Sequence, residues 1–468
     1  MLPPTDTPQS PELPRLLGFW GVTAVMVGII VGSGIFETPT DIAREIGSPW
    51  AILGLWALGG VISLFGAFTY AELATMFPQS GGVYVFLREG YGRAGRCIAF
   101  VFGWTYLLIS KPVAAAGIAI IFGKNLVPLI GLATGDPDTD RIRAKWLTSG
   151  VLVLLTVVNV VGVKVGTGVA GVLTIAKVGA LLAITVLAFT IGQPHQLAFV
   201  ASDPQVPKLW TLAVVAAMSG ILWTYDGWSD VGSMAGEVER PKRLLPISYI
   251  AGTVGVTGLY LAINLAYFRV MSIDEMRTAP DSSVAPVVAQ RLIGDHAATI
   301  VALIIVISTL GSTHGSIMTG ARISFAQSRD ALLFRFLGHV HPRYQTPAVS
   351  LWCQLALSLT ALWGLKNFKE MAGGFVFTMW IFYGLAGISI FTLRRTRPDA
   401  ERPYRCWGYP IVPAFFVLTA VAMTVLSVQA DLADPNTKYQ SLIWLGVLFA
   451  GLPVYWIWST ATKAAQKE

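Results

Sequence analysis

From residue 17 onward the chain is built of long apolar blocks, not of apolar stripes at helical spacing. Blocks of about 20 apolar residues are what a hydrocarbon layer about 30 Å thick demands of a helix. Twelve such blocks can be marked, at 17–46, 49–76, 97–126, 147–164, 168–191, 210–236, 246–269, 297–327, 347–365, 371–393, 409–429 and 440–460. The pattern predicts an all-α integral membrane protein with 12 transmembrane helices. Residues 1–16 are polar and Pro-rich and lack the basic stretch and cleavage site of a signal peptide. They are expected to form a disordered cytoplasmic tail.

Two blocks are broken by Gly or polar residues near their middle: GIIVGSGIFETPTD (28–41) in the first and GILWTYDGWSDVG (220–232) in the sixth. A helix that unwinds in lipid frees backbone groups that must find partners, so a break is tolerated only where protein, water or ligand supplies them. Broken helices at matching places in two halves point to a transporter site. Five spans separate the two breaks, which predicts two five-helix repeats of opposite orientation: helices 1–5 over 17–192 and helices 6–10 over 210–395. Two further helices would follow over 409–462.

The first break has a definite chemistry. A half-helix starting near Gly34 offers free N–H groups and a positive dipole end to a carboxylate. A half-helix ending near Ile30 offers carbonyls to a cation. An α-amino acid carries both charges on one carbon. Ser33 can add a hydroxyl, and the flanking glycines permit the turn.

Composition narrows the class. Only 13% of the 468 residues are charged while 54% are hydrophobic, where soluble domains average about 25% charged. The net charge of +7 resides in short loops and does not indicate nucleic-acid binding. Lys and Arg cluster in the loops after even-numbered spans, which places both termini in the cytoplasm by the positive-inside bias. Three scattered cysteines, Cys97, Cys353 and Cys406, form neither a disulfide framework nor a metal-binding spacing. No HExxH, GxSxG or His/Asp cluster is present, so no enzymatic activity, metal or cofactor is expected.

Ionisable residues inside spans are costly and indicate function. Lys177 lies about nine residues into the fifth span, too deep for easy snorkelling. Asp226 falls in the second break, where it can cap the following half-helix or meet a substrate amine. His314 lies well inside the eighth span and can be a satisfied core residue, a substrate contact or a pH sensor. Lys111 precedes Pro112 in the third span, where a kink is expected. Glu237 and Glu239 beside Arg240, Lys242 and Arg243 form either a solvated loop or an ion-pair gate. Gly373, Gly374 and Phe375 in the tenth span could line the pathway.

The stretch VGSGIF (31–36) resembles the first-helix signature of the amino acid–polyamine–organocation superfamily. LWTYDGW (222–228) with GEVERPKRLLP (236–246) is similar to its L-type amino acid transporter branch, as are KPVAAAGIA (111–119) and GSTHGSIMTGARISFAQSRD (311–330). The resemblance spans about residues 17–465. It implies the leucine-transporter fold, a 5+5 inverted repeat with discontinuous helices 1 and 6. It implies that Ser33, Gly34 and Ile35 hold a carboxylate. The carbonyls of Ile30, Trp223 and Asp226 would hold an ammonium, and Trp223 would close over the side chain. Lys177 would fill a site that holds sodium in related transporters, and Lys111, where related sequences carry arginine, would serve in a structural or gating pairing. His314 departs from the asparagine usual in the family. The function implied is sodium-independent exchange of neutral L-amino acids across the plasma or inner membrane. The alternative is a proton-coupled permease, extending to cationic amino acids if Asp226 faces the pocket. The loop at 127–146 has no cysteine, which disfavours the covalent heavy-chain partner of animal relatives.

Overall fold

The computed structural model describes residues 13–197, 199–202, 210–279, 283–364, 368–433 and 439–465. In chain order the helices are α1 (Phe19–Ile30), α2 (Gly34–Glu45), α3 (Pro49–Met76), α4 (Val83–Gly90), α5 (Gly92–Thr105), α6 (Lys111–Leu129), α7 (Pro137–Val161) and α8 (Val163–Thr190). They continue with α9 (Trp210–Tyr225), α10 (Pro241–Val270), α11 (Ile273–Arg277), α12 (Val284–Ile293) and α13 (Ala297–Arg329). The last are α14 (Ala348–Gly364), α15 (Phe368–Thr396), α16 (Ile411–Ala433) and α17 (Gln440–Ala465). Among the described residues, 10 helices are long and apolar enough to cross a membrane, α1–α2 and α5–α6 each counting as one. The two other expected spans are shorter. The sixth consists of the 16-residue α9 and a 3-10 turn over Trp228–Glu237, and the ninth is the 17-residue α14.

Both expected breaks are present. Val31–Ser33 separates α1 from α2, and Asp226–Gly227 separates α9 from the 3-10 turn. α1 packs against that turn while α2 packs against α9, so the two broken spans run antiparallel. The kink expected at Pro112 takes the form of a π-turn over Tyr106–Ser110. The wider turn accommodates a ring that cannot donate to the ladder.

Two expectations need correction. The fourth span was expected to start at 147, after an outer loop, but α7 starts ten residues earlier. Pro137 opens it, and the Asp136 carboxylate accepts from the Thr139 N–H at 3.0 Å, an N-cap strong enough to carry the helix beyond the apolar block. The tail is also shorter than expected. Residues 1–12 lie outside the described residues, but Leu13 is buried with Phe325 and Val340. The N–H groups of Leu16 and Leu17 both donate to Glu237 O at 2.9 Å, and Leu17 pairs with Val238. The side-chain surroundings of Gly373, Gly374 and Phe375 lie outside the described residues.

The opposite face is closed by α11 and α12. Ser272 and Glu275 form a capping box for α11, and Glu275 also receives Arg291 Nη2 at 2.5 Å. The hydrogen bond from Arg291, aided by the Ser272 N–H, holds the Glu275 carboxyl at about 2, against about 4.3 for a free glutamate. A depressed carboxyl contributes stability that is present above its unfolded value and lost as pH falls through its folded one. Melting temperature should therefore decline between about pH 4 and pH 2. Glu275→Gln should flatten that decline; an unchanged profile in the variant would assign the loss to other groups.

Candidate functional site

The unwound stretch of the first span is held by three neighbouring elements. Gly32 N–H donates to Ile30 O at 2.8 Å, across only two residues, which leaves upstream carbonyls without intrahelical donors. α13 supplies most replacements. Ser308 Oγ donates to Val31 O and Gly32 O, each at 3.2 Å, and Ser312 Oγ donates to Gly28 O at 2.9 Å and to Val31 O at 3.1 Å. Tyr260 on α10 donates to Ile30 O at 2.8 Å and to Thr224 O at 3.0 Å, joining the two breaks. Lys177 on α8 is fully buried; its Nζ donates to Gly28 O, to Ser308 O at 3.3 Å and to Ser312 Oγ at 3.2 Å. A single ammonium thus ties the fifth span to the first and the eighth.

Glycines let the breaks meet. A Cβ on Gly34 would lie 2.5 Å from Thr224 Oγ1. Gly227 has φ +115°, and a Cβ there would lie 2.5 Å from Ile29 Cγ2. Gly227→Ala therefore meets both a left-handed backbone and a collision with the first break. Backbone strain of this kind costs roughly 1–3 kcal/mol. We expect substrate affinity to fall about tenfold or more, since each 1.4 kcal/mol is a factor of ten; ligand-induced thermal stabilisation measures it. An unshifted ligand response would show that the breaks tolerate separation.

Between the breaks lies a cavity of about 40 Å³, lined by Ile29, Ile30, Gly32, Ser33, Gly34, Lys111, Ala114, Ile118, Trp223, Thr224, Asp226 and Ser316. Ser33 stands at the start of α2 and its hydroxyl caps no amide. The first N–H groups of α2 have no intrahelical acceptor, so this wall presents donors. Asp226 Oδ1 accepts from Tyr383 OH at 2.7 Å.

Of the expected site residues, the structure brings together Ile30, Ser33, Gly34, Trp223, Asp226 and Lys111 around this one cavity. Ile35 belongs to the first turn of α2 but is not among the lining residues. Ile30 O already accepts two hydrogen bonds, which leaves it little capacity for an ammonium. Phe36 is buried and is not among the lining residues, and its carbonyl accepts from Ser283 Oγ at 3.1 Å. His314 is a correction. Its Nε2 faces Gly166 O at 2.7 Å and its Nδ1 faces Asn159 Nδ2 at 3.1 Å. The carbonyl can only accept, so Nε2 carries the proton and Nδ1 accepts from the amide. The ring is fully engaged between α7 and α8 and does not line the cavity.

Three groups were not singled out from the sequence. Asp230 is buried and pairs with Lys111 Nζ; it also accepts from Thr319 Oγ1 at 3.0 Å. Asp230 lies four residues after Asp226, a spacing that could have paired them. Ser308, Ser312 and Ser316 recur every four residues of α13, a helical stripe legible in the sequence. Arg322 was also missed. It grips Glu237 with two hydrogen bonds, 2.6 and 3.0 Å, and both residues are buried. The expected gate at Glu237 therefore pairs with α13 and not with the adjacent loop cations, of which Lys242 pairs with Glu401 at 2.7 Å. Arg322 stands six residues beyond Ser316, about 9 Å along the helix. Past it opens a second cavity of about 380 Å³ bordered by Gly236 and Asp330. The Glu237–Arg322 pair thus stands between the two cavities.

A profile described as amino acid permease matches residues 17–452. The chain is similar to the serine/threonine exchanger SteT of Bacillus subtilis (strain 168), 29% identical over 446 residues, covering 95% of this chain and 97% of that one. It is also similar to the human b(0,+)-type amino acid transporter 1, 28% identical over 456 residues, with 97% and 90% covered. The human cystine/glutamate transporter is 29% identical over 451 residues, with 95% and 85% covered.

Proposed function

Because this chain belongs to the amino acid permease family, a family of multi-pass membrane transporters and not enzymes, we propose that it exchanges neutral L-amino acids across the cell membrane by alternating access, without sodium. The carrying observation is the single cavity shared by the two antiparallel breaks, with Ser33 and the start of α2 on one wall and Trp223 and Asp226 on the other. The substrate carboxylate is assigned to Ser33 and the first amides of α2. Its ammonium is assigned to Asp226 and the carbonyl end at Trp223. Trp223 borders the cavity where it can cover the bound side chain.

Charge balance favours a neutral side chain. Lys111 is committed to Asp230, and Asp226 would be met by the substrate ammonium. The substrate carboxylate is met by the start of α2, and among the described residues the lining holds no further charged side chain to pair with an ionic one. Sodium independence is supported by Lys177, whose ammonium uses Gly28 O, Ser308 O and Ser312 Oγ. Those are the hard oxygen ligands a bound alkali cation would need.

Exchange follows if the empty carrier reorients poorly and substrate supplies the differential binding between outward and inward states. The antiparallel broken spans support two inverted five-helix repeats, and the Lys and Arg bias of the loops supports both termini in the cytoplasm of a twelve-span chain. We further propose that the chain works without a covalently attached heavy chain. Proton coupling is the second reading, favoured by the complete burial of Lys177 against the first break. Purified protein in liposomes loaded with neutral amino acids should take up labelled neutral amino acids equally in sodium and choline. Sodium stimulation would overturn the role given to Lys177. Accumulation in unloaded liposomes driven by a pH gradient would favour the second reading, and no neutral amino acid uptake under any condition would overturn the first.

A further inference from the structure

The cavity has a polar end that the main-chain groups of an amino acid would leave unused. Ser316 on α13 lines it, is 1% exposed, and its hydroxyl has no hydrogen-bond partner. Buried hydroxyls are normally paired, so an unpaired one in a cavity wall marks a place for a ligand atom. Lys111 lines the same cavity. Its ammonium has three N–H donors; Asp230 takes one, and the Tyr106 ring lies 5.7 Å away. Ala114 and Ile118 form the apolar boundary. The cavity of about 40 Å³ holds about three water-sized groups, fewer than the heavy atoms of any amino acid, so the helices separate to admit substrate, and least for the shortest side chains.

We propose that Ser316 and Lys111 form the side-chain subsite and select neutral amino acids with a short side chain ending in a hydroxyl. This assignment rests on the amino acid reading above. Lys111 Nζ donates to the hydroxyl oxygen of the substrate, and the substrate O–H donates to Ser316 Oγ. A methyl group in place of the hydroxyl leaves the Ser316 hydroxyl unpaired and buried and a Lys111 N–H without an acceptor. A site built to bond a hydroxyl rejects the analogue lacking it far more strongly than an apolar pocket rejects an extra one. The charge cancellation between Lys111 and Asp230 excludes neither hydroxyl nor methyl by charge, so the hydrogen bonds decide.

L-Threonine and L-valine have the same shape, as L-serine and L-2-aminobutyrate do, so exchange of each pair isolates the hydroxyl. In the wild type, threonine should be exchanged at least about tenfold better than valine, one to two hydrogen bonds' worth of discrimination. Ser316→Ala should lower the ratio of threonine to valine exchange about tenfold while retaining wild-type melting behaviour, which shows that the variant is folded. Equal wild-type exchange of threonine and valine overturns the subsite whether or not the variant folds. So does a variant that loses both substrates alike while retaining wild-type melting behaviour. Exchange of valine, alanine and leucine without preference for a hydroxyl would overturn the subsite alone. Absence of exchange for every neutral amino acid would overturn the amino acid reading with it.

Discussion

Lys177→Ala is expected to slow amino acid exchange about a hundredfold, in protein that still reaches the membrane. Lys177 makes three hydrogen bonds, to Gly28 O, Ser308 O and Ser312 Oγ. Charge-assisted bonds are worth roughly 1.5–3 kcal/mol each. Ser312 also donates to Gly28 O by itself, so part of the brace survives. A net loss of about 3 kcal/mol in holding the first break corresponds to about a hundredfold shift between conformations, at 1.4 kcal/mol per factor of ten. Turnover measured from both faces of oriented proteoliposomes reads this shift. A variant with wild-type rates in both directions would reduce Lys177 to a filler of space between α1, α8 and α13.

The second large effect is on stability. Asp230→Ala removes the partner of a lysine that is 3% exposed. Breaking a buried pair from one side costs roughly 3–5 kcal/mol, because the remaining charge is uncompensated. The melting temperature in detergent should fall sharply. Replacing both partners by apolar residues of similar volume is often neutral, so Lys111→Met with Asp230→Leu should recover most of the lost stability. The double variant should still transport poorly, because Lys111 lines the cavity. Recovery of transport along with stability would show that the pair is structural and takes no part in the site.

These two residues also mark how far the sequence could be read. The breaks at Val31–Ser33 and Asp226–Gly227 were legible because glycine and polar residues interrupt apolar blocks that lipid would otherwise keep helical. Lys177 was legible for the same reason, since an ammonium so deep in a span needs partners. Partners themselves were less legible. Asp230 lay within the stretch already quoted around Asp226, but a single chain does not reveal that it faces Lys111 from 119 residues away. Ser308, Ser312 and Ser316 formed a readable four-residue stripe, yet small hydroxyls are common packing residues in membrane helices and carry no burial signal of their own. His314 misled in the other direction. A histidine in a span can be an ordinary core group once a carbonyl and an amide complete it, and Gly166 and Asn159 do so. The start of α7 was missed because an Asp–Pro cap overrode the polar composition that suggested a loop.

The Glu237–Arg322 pair gives the two cavities a physical partition. Both side chains are buried, and the chain entering α1 hangs on Glu237 O through Leu16 and Leu17. Movement of α1 and separation of this pair are therefore mechanically joined. On the alternating-access reading proposed above, this pair is the element that would yield for substrate to pass toward the second cavity.

Counterflow across a proteoliposome membrane tests the central assignment most directly. Vesicles preloaded with unlabelled L-serine should take up labelled L-serine far faster than empty vesicles, equally in sodium and in choline, and Lys177→Ala should abolish most of the difference. Uptake that is the same in loaded and empty vesicles, or that appears only with sodium, would contradict an amino acid exchanger braced by a fixed amine.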